Sequence, residues 1–187
     1  DMIGFTLQYE MSYTTVLDML QMAGIAVQSK DRTDEDPIIA AGGPCAFNPE
    51  PLADFIDLFL IGDGEDLLPE ILKLHERCRE DGLNKTQFLQ KACKIGGVYV
   101  PAFYEPEYNK DGTIKKICKL NPEAPDVVRR HIIPDIEEAD FPVKPIIPLI
   151  EAVHDRSVVE TFRGCTRGCR FCQAGMIYRP VRERSKE

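Results

Sequence analysis

The sequence predicts an α/β chain: a partial doubly wound parallel sheet, then a β-hairpin, a proline-rich connector, and a short strand that enters a cysteine-rich loop. Three observations carry this reading. Over residues 1–96, short apolar runs alternate with amphipathic stretches of helical period, as strands and crossover helices do in a parallel sheet. The pattern then turns strand-like on both sides of Asn109-Lys110-Asp111-Gly112, where Asp-Gly marks a tight turn between antiparallel strands. Near the C-terminus, Cys165-Thr-Arg-Gly-Cys169-Arg-Phe-Cys172 puts three thiols within eight residues, so one loop must wrap one centre.

Taken in order, Met2-Ile3-Gly4-Phe5-Thr6-Leu7 reads as a buried strand. Asp1 is not a natural initiator, so the chain is expected to begin in mid-fold with this strand at a bare sheet edge. Ser12 is expected to cap a helix whose apolar face is Val16, Leu17, Leu20 and Ala23, with Gly24 as its stop. Ile25-Ala26-Val27 reads as a short strand and Lys30 to Asp36 as an exposed acidic loop. Ile38-Ile39-Ala40-Ala41 then runs into Gly42-Gly43-Pro44. Two glycines at a strand end let a ligand or another backbone come close, and on spacing alone a simple tight strand-to-loop turn explains them better. Pro49 and Pro51 bracket Glu50 ahead of a helical turn carrying Leu52 and Phe55. Asp57 to Ile61 is the next strand, and Gly62-Asp63-Gly64-Glu65 turns into a helix from Asp66 to Glu80. Its core candidates are Leu67, Leu68, Ile71, Leu72 and Leu74, and Pro69 falls in the first turn, where a missing N–H costs little.

Asn84 is placed to cap a further helix, Lys85 to Lys94, with Phe88, Leu89 and Ala92 on its apolar face. Gly97 to Tyr104 and Ile114 to Cys118 are expected to form the hairpin, its tyrosines and Phe103 serving packing rather than base stacking. Residues 121–150 hold Pro122, Pro125, Pro134, Pro142, Pro145 and Pro148, which favours an extended, irregular connector. The β-branched run Ser157-Val158-Val159-Glu160-Thr161 then reads as the strand leading to the cysteines. The expected divisions are 1–96 for the sheet domain, 97–150 for hairpin and connector, and 151–187 for the start of another domain.

Bulk properties narrow the function. With 43% hydrophobic residues in 187, the chain can bury one modest core. It shows neither a membrane-spanning apolar run nor a signal sequence, so it reads as soluble and cytoplasmic. Seven cysteines is an odd number, and Cys45, Cys78, Cys93 and Cys118 are spread without paired spacing, which argues against a disulfide framework and for a reducing compartment. A net charge of -8 argues against a general nucleic-acid surface. Residues 151–187 nevertheless carry an excess of basic side chains, including Arg163, Arg167 and Arg170 in the cysteine loop. Those three arginines form either a solvated basic face, or a group that offsets the negative charge of a thiolate cluster or touches an anionic substrate.

The CxxxCxxC spacing has Phe171 before its last cysteine, and no Cys or His follows Cys172. Structural zinc is normally closed by four protein ligands, whereas a 4Fe-4S cluster on three thiolates leaves one iron open for a small molecule. Gly164 and Gly168 allow the backbone to fold tightly around a bulky inorganic core. Arg163-Gly164-Cys165 through Cys172 resembles the signature loop of the radical SAM enzymes. The resemblance implies that Cys165, Cys169 and Cys172 bind a 4Fe-4S cluster, that its open iron takes S-adenosyl-L-methionine, and that Phe171 lies near the adenine. It further implies reductive cleavage of that cofactor to a 5′-deoxyadenosyl radical, with electrons from a flavodoxin- or ferredoxin-type protein.

Residues 1–80 resemble the C-terminal part of the flavodoxin-like cobalamin-binding domain that precedes many radical SAM barrels. In that resemblance Gly42 and Gly43 lie under the nucleotide tail of the cofactor, Thr6 stands where the family often has Ser, and Glu65 sits in the acidic turn after the last strand. The family's cobalt-ligating histidine belongs to a DxHxxG loop. This sequence has no such motif, and His75, His131 and His154 lie in other contexts. Cobalamin is thus implied without its axial ligand.

Only a short stretch follows Cys172, too little for a barrel. The chain is therefore expected to be a fragment of a longer radical SAM enzyme with a truncated barrel, inactive alone and self-associating through its exposed sheet edge. Two alternatives stay open. A methylthiotransferase-like enzyme would place a second cluster on further cysteines, of which Cys45 is suggestive and Cys78 and Cys93 are helical or nearly so. A non-enzymatic α/β binding module would hold zinc on the C-terminal cysteines.

Overall fold

A computed structural model of the chain describes residues 1–150, 153, 156 and 158–185. They form two compact units, Asp1–Ile132 and Ile133–Glu187. Glu151, Ala152, His154, Asp155, Ser157, Lys186 and Glu187 lie outside the described residues.

The first unit is built on a four-stranded sheet of β1 (Met2–Thr6), β2 (Ile38–Gly42), β3 (Leu58–Leu60) and β4 (Val98–Tyr99), in that spatial order. The first three strands are parallel and β4 is antiparallel to β3. Between β1 and β2 lies helix α1 (Tyr13–Met22), and between β3 and β4 lie α2 (Leu67–Glu80) and α3 (Lys85–Ala92). The apolar run of β2 serves both faces because side chains alternate along a strand. Ile38 and Ala40 pack with Leu58, Ile71, Phe88 and Ala92 beneath α2 and α3. Ile39 and Ala41 pack with Phe59, Val16 and Leu20 beneath α1. Helices on both faces of a largely parallel sheet give the expected α/β architecture. The described strands run in sequential order, without the reversal at which doubly wound sheets form their ligand crevice.

Several local expectations are corrected. Ser12 donates its hydroxyl to Tyr9 O at 2.7 Å rather than capping α1. Ile25-Ala26-Val27 is not a strand; the carbonyls of Ala26 and Val27 accept from Arg32 at 2.9 and 3.1 Å. Side-chain capture of these carbonyls replaces a strand ladder. Val98 and Tyr99 leave the hairpin and pair with Leu60 and Phe59. This carries the sheet past the expected boundary at residue 96, since both side chains are apolar enough to be buried there.

The hairpin itself is β5 (Tyr104–Tyr108) against β6 (Ile114–Lys119), turning at Gly112 with φ of 84°. Asn84 caps α3 as expected, its Oδ1 accepting from Gln87 N while Gln87 Oε1 accepts from Asn84 N. The proline-rich stretch is irregular apart from a bridge between Gly62 and His131.

One buried polar network ties the segment before β2 to the start of β3. Asp57 is 2% exposed and Arg32 is 7% exposed. Asp57 Oδ1 accepts from Ser29 Oγ at 2.5 Å and from Arg32 Nη2 at 3.2 Å, and its Oδ2 accepts from Ile39 N at 2.7 Å. Lys85 Nζ lies 2.8 Å from Asp57 Oδ1 without hydrogen-bond alignment, so it contributes charge rather than a directed bond.

The second unit contains β7 (Phe162–Arg163) paired antiparallel with β8 (Arg182–Glu183), and the short helix α4 (Ala174–Ile177) between them. The expected strand is corrected over its described part, Val158 to Thr161: β7 begins only at Phe162, and Val158 and Val159 are exposed and outside any named strand, while Ser157 lies outside the described residues. Their β-branching favours extended backbone, but a strand forms only where a partner supplies the ladder.

Candidate metal centre

The stem β7–β8 brings Phe162 opposite Glu183 and Arg163 opposite Arg182, closing the segment Gly164 to Val181 into a loop. That loop carries Cys165, Cys169 and Cys172, and all three are free thiols. Cys165 and Cys172 are half-buried and Cys169 is exposed. Cys172 N donates to Cys169 O at 3.1 Å, which makes Cys169 to Cys172 one tight turn. Arg167 N donates to Cys165 Sγ at 3.4 Å. Phe171 is 92% exposed, so its ring face is open to a ligand. Arg167 and Arg170 flank Cys169 and are exposed.

Gly164 closes the loop by close approach. Its φ is +96°, and a Cβ there would lie 2.7 Å from the carbonyl oxygens of both Tyr178 and Pro180. Only glycine accepts that geometry. Gly168 meets no such neighbour.

Sequence reasoning missed the ion-pair cluster at the stem. Glu160 accepts from Arg163 Nε at 2.6 Å and Nη2 at 2.9 Å, and Arg184 Nη2 reaches Glu160 Oε2 at 3.5 Å. Arg163, through these two bonds, holds the Glu160 carboxyl below its usual range. The signal was the spacing of Glu160, Arg163 and Arg184 on either side of the cysteines, visible only once β8 is paired.

The other predicted positions form a separate group at the carboxyl ends of β1 and β2. Thr6 faces Gly42 in register, and Gly43 follows with φ of +93°. A Cβ at Gly43 would lie 2.9 Å from Leu7 O and 3.2 Å from Thr6 Cγ2. Leu7 N donates to Gly42 O and Cys45 N to Leu7 O. The glycine pair thus accommodates neighbouring backbone. Nearby, Tyr99 and Tyr104 lie 5.2 Å apart and donate their hydroxyls to Glu50 Oε1 and Pro125 O. They are packing groups with their polar ends already used, and burial, with Glu50 beside it, pushes the Tyr99 hydroxyl up.

Residues 1–101 match the family described as radical SAM proteins, N-terminal. The chain belongs to that family. It is also 28% identical over 189 residues to an uncharacterised protein of Methanocaldococcus jannaschii, an alignment covering 98% of this chain and 32% of that protein. The chain therefore spans about a third of its relative's length.

For the cluster that radical SAM proteins use, the donor chemistry fits: three soft sulfur ligands on one closed loop, none consumed by a disulfide. Among the described residues no three Cys, His, Asp or Glu side chains are gathered to hold a metal ion. The loop supplies ligands that metal binding must draw together, as is usual where site formation and metal uptake are coupled. Cobalamin does not fit in the same way. The space at Gly43 is taken by Leu7, His75 stacks edge-on against Phe88, and His131 holds Asp66 at 2.7 Å. His154 lies outside the described residues.

The remaining cysteines, all among the described residues, are not gathered at one place. Cys45 is buried on the α1 face of the sheet, and Cys78 and Cys93 are buried on the opposite face. Cys118 sits in β6, where its thiol points toward Glu107. No helix among the described residues is long and apolar enough to cross a membrane.

Proposed function

We propose that this chain carries the cluster-binding segment of a radical SAM enzyme, with Cys165, Cys169 and Cys172 holding a 4Fe-4S cluster. The observation that carries the reading is the closed β7–β8 loop with three free thiols, in a chain of the radical SAM family. When bound, the cluster supplies the electron that cleaves S-adenosyl-L-methionine to a 5′-deoxyadenosyl radical.

The chain's own residues do the following. Cys165, Cys169 and Cys172 would hold the cluster through their three thiolates. Phe171 offers an exposed ring to its adenine. Arg167 N donates to Cys165 Sγ. Exposed Arg167 and Arg170 present positive charge beside Cys169, suited to an acidic, flavodoxin- or ferredoxin-type electron donor.

Anaerobic reconstitution with iron and sulfide tests the reading. Uptake of about four irons per chain, with S-adenosyl-L-methionine altering the spectrum of the reduced cluster, supports it; stoichiometric zinc without sulfide contradicts it. The open edge of β1, paired on one side only by β2, is proposed as a self-association surface. A monodisperse monomer in light scattering contradicts that part.

A further inference from the structure

The stem of the cysteine loop is very short. Each strand contributes only two residues, Phe162–Arg163 and Arg182–Glu183, yet they close the whole stretch Gly164 to Val181. An isolated two-stranded pair is marginal in water, and closing a long loop adds an entropic cost. Something besides the ladder must hold the stem.

The side chains around it supply that hold. Glu160 forms a fork-to-fork pair with Arg163, which is on β7. The same carboxylate is reached by Arg184, which follows β8 directly. One acidic side chain therefore bridges the two sides of the stem. Arg184 is further fixed by three contacts within the unit. Its N donates to Thr161 O at 2.9 Å, its Nη2 to Ala139 O at 3.4 Å, and its guanidinium lies 5.3 Å from the centre of the Phe141 ring. On β8 itself, buried Arg182 donates from Nη1 to Ile133 O at 2.7 Å. Ser185 N donates to Glu137 Oε1, extending the stem past Arg184. The side-chain fraction left in water is 28% for Glu160 and 15% for Arg163 and Arg184, so these charges are only partly screened.

We infer that Glu160, Arg163 and Arg184 form a clasp of positioning residues that locks the cysteine loop in register for cluster binding. The inference rests on the cluster reading of the loop. Arg163 immediately precedes Gly164 and Cys165, so its orientation sets the direction in which the first thiol leaves the stem. Gly164 then seats against the carbonyls of Tyr178 and Pro180, which fixes the far end of the loop to the near one. Loss of the Glu160 charge removes the one side chain that touches both sides of the stem. The three thiols then must be gathered from an open chain, and the cluster, once formed, is held by ligands with no common frame.

The experiment compares wild type with Glu160→Gln, Arg163→Lys and Glu160→Asp in the full chain. Each is reconstituted anaerobically with iron and sulfide. Three readouts follow: iron and sulfide content, the rate at which a chelator removes the iron, and amide hydrogen exchange at Arg184 and at Ile39 to Ala41. Glu160→Gln keeps the shape but removes the charge, and Arg163→Lys keeps the charge but removes the fork. Both are expected to speed iron loss at least fivefold and exchange of the Arg184 amide at least tenfold, with β2 unchanged. Glu160→Asp keeps the charge and is expected to recover at least half of the slow iron release. Iron release and loading equal to wild type in both Glu160→Gln and Arg163→Lys overturn the clasp while leaving the cluster reading intact. Faster exchange at β2 as well overturns it in favour of a general folding defect. Failure of wild type itself to take up iron overturns the cluster reading and the clasp together.

Discussion

The two units of this chain use charge in opposite ways. In Asp1–Ile132 the charged group at the centre, Asp57 with Arg32, is sealed inside a fold already held by apolar packing on both faces of the sheet. In Ile133–Glu187 the described apolar side chains are largely outward, with Val143, Ile146, Leu149, Val158 and Phe171 exposed, and the stem of the cysteine loop is bound by arginine and glutamate. The first unit needs its ion pair because the charges are buried. The second needs its ion pairs because little else is buried. A rigid sheet domain thus contrasts with a loop whose order depends on a few directed bonds and, in our reading, on a metal cluster.

The largest break in this comparison comes from Asp57→Ala, which strands the buried guanidinium of Arg32 and removes the anchor of Ile39 N. The expected loss is about 3–5 kcal/mol in the first unit, read by urea denaturation. A next step is Gly43→Ala, where φ of +93° and the Leu7 carbonyl leave no room for a methyl group. That substitution is expected to destabilise the sheet domain by about 1–3 kcal/mol in the same assay. Asn84→Ala removes half of a capping box on α3 and is expected to cost about 1 kcal/mol, visible as a lower thermal midpoint.

Acid separates the units differently. The Glu160 carboxyl is held low by hydrogen bonds from Arg163, reinforced by that arginine's charge and by Arg184. Because its folded value lies below the unfolded one, its stabilisation is complete above the unfolded value of about 4.3. It is lost as pH falls through the folded value. Exchange of the Arg184 amide, corrected for intrinsic chemistry, is expected to accelerate below about pH 4. The smallest effect on stability is expected from Cys169→Ala. Its thiol is exposed, so urea denaturation should shift by less than about 0.5 kcal/mol.

Much of the sheet domain was legible because its signals are local and periodic. The β2 run, the helix at Leu67–Glu80 and the Asn84 cap all follow from spacing within a few residues. Val98–Tyr99 was misassigned because strand-like residues do not say which neighbour they pair with; β3 won over the hairpin. Ile25 to Val27 failed for a related reason, since the buried guanidinium of Arg32 captured its carbonyls. The three cysteines of the loop were visible in the sequence. The clasp was not, because Arg184 meets Glu160 only through the pairing of strands far apart in sequence.

The most direct test of the central claim is anaerobic iron and sulfide reconstitution of the chain beside Cys165→Ala, Cys169→Ala and Cys172→Ala. The account predicts about four irons and four sulfides per wild-type chain, and loss of the intact cluster in each variant. Uptake that survives removal of any one of the three cysteines, or zinc in place of iron and sulfide, would contradict it.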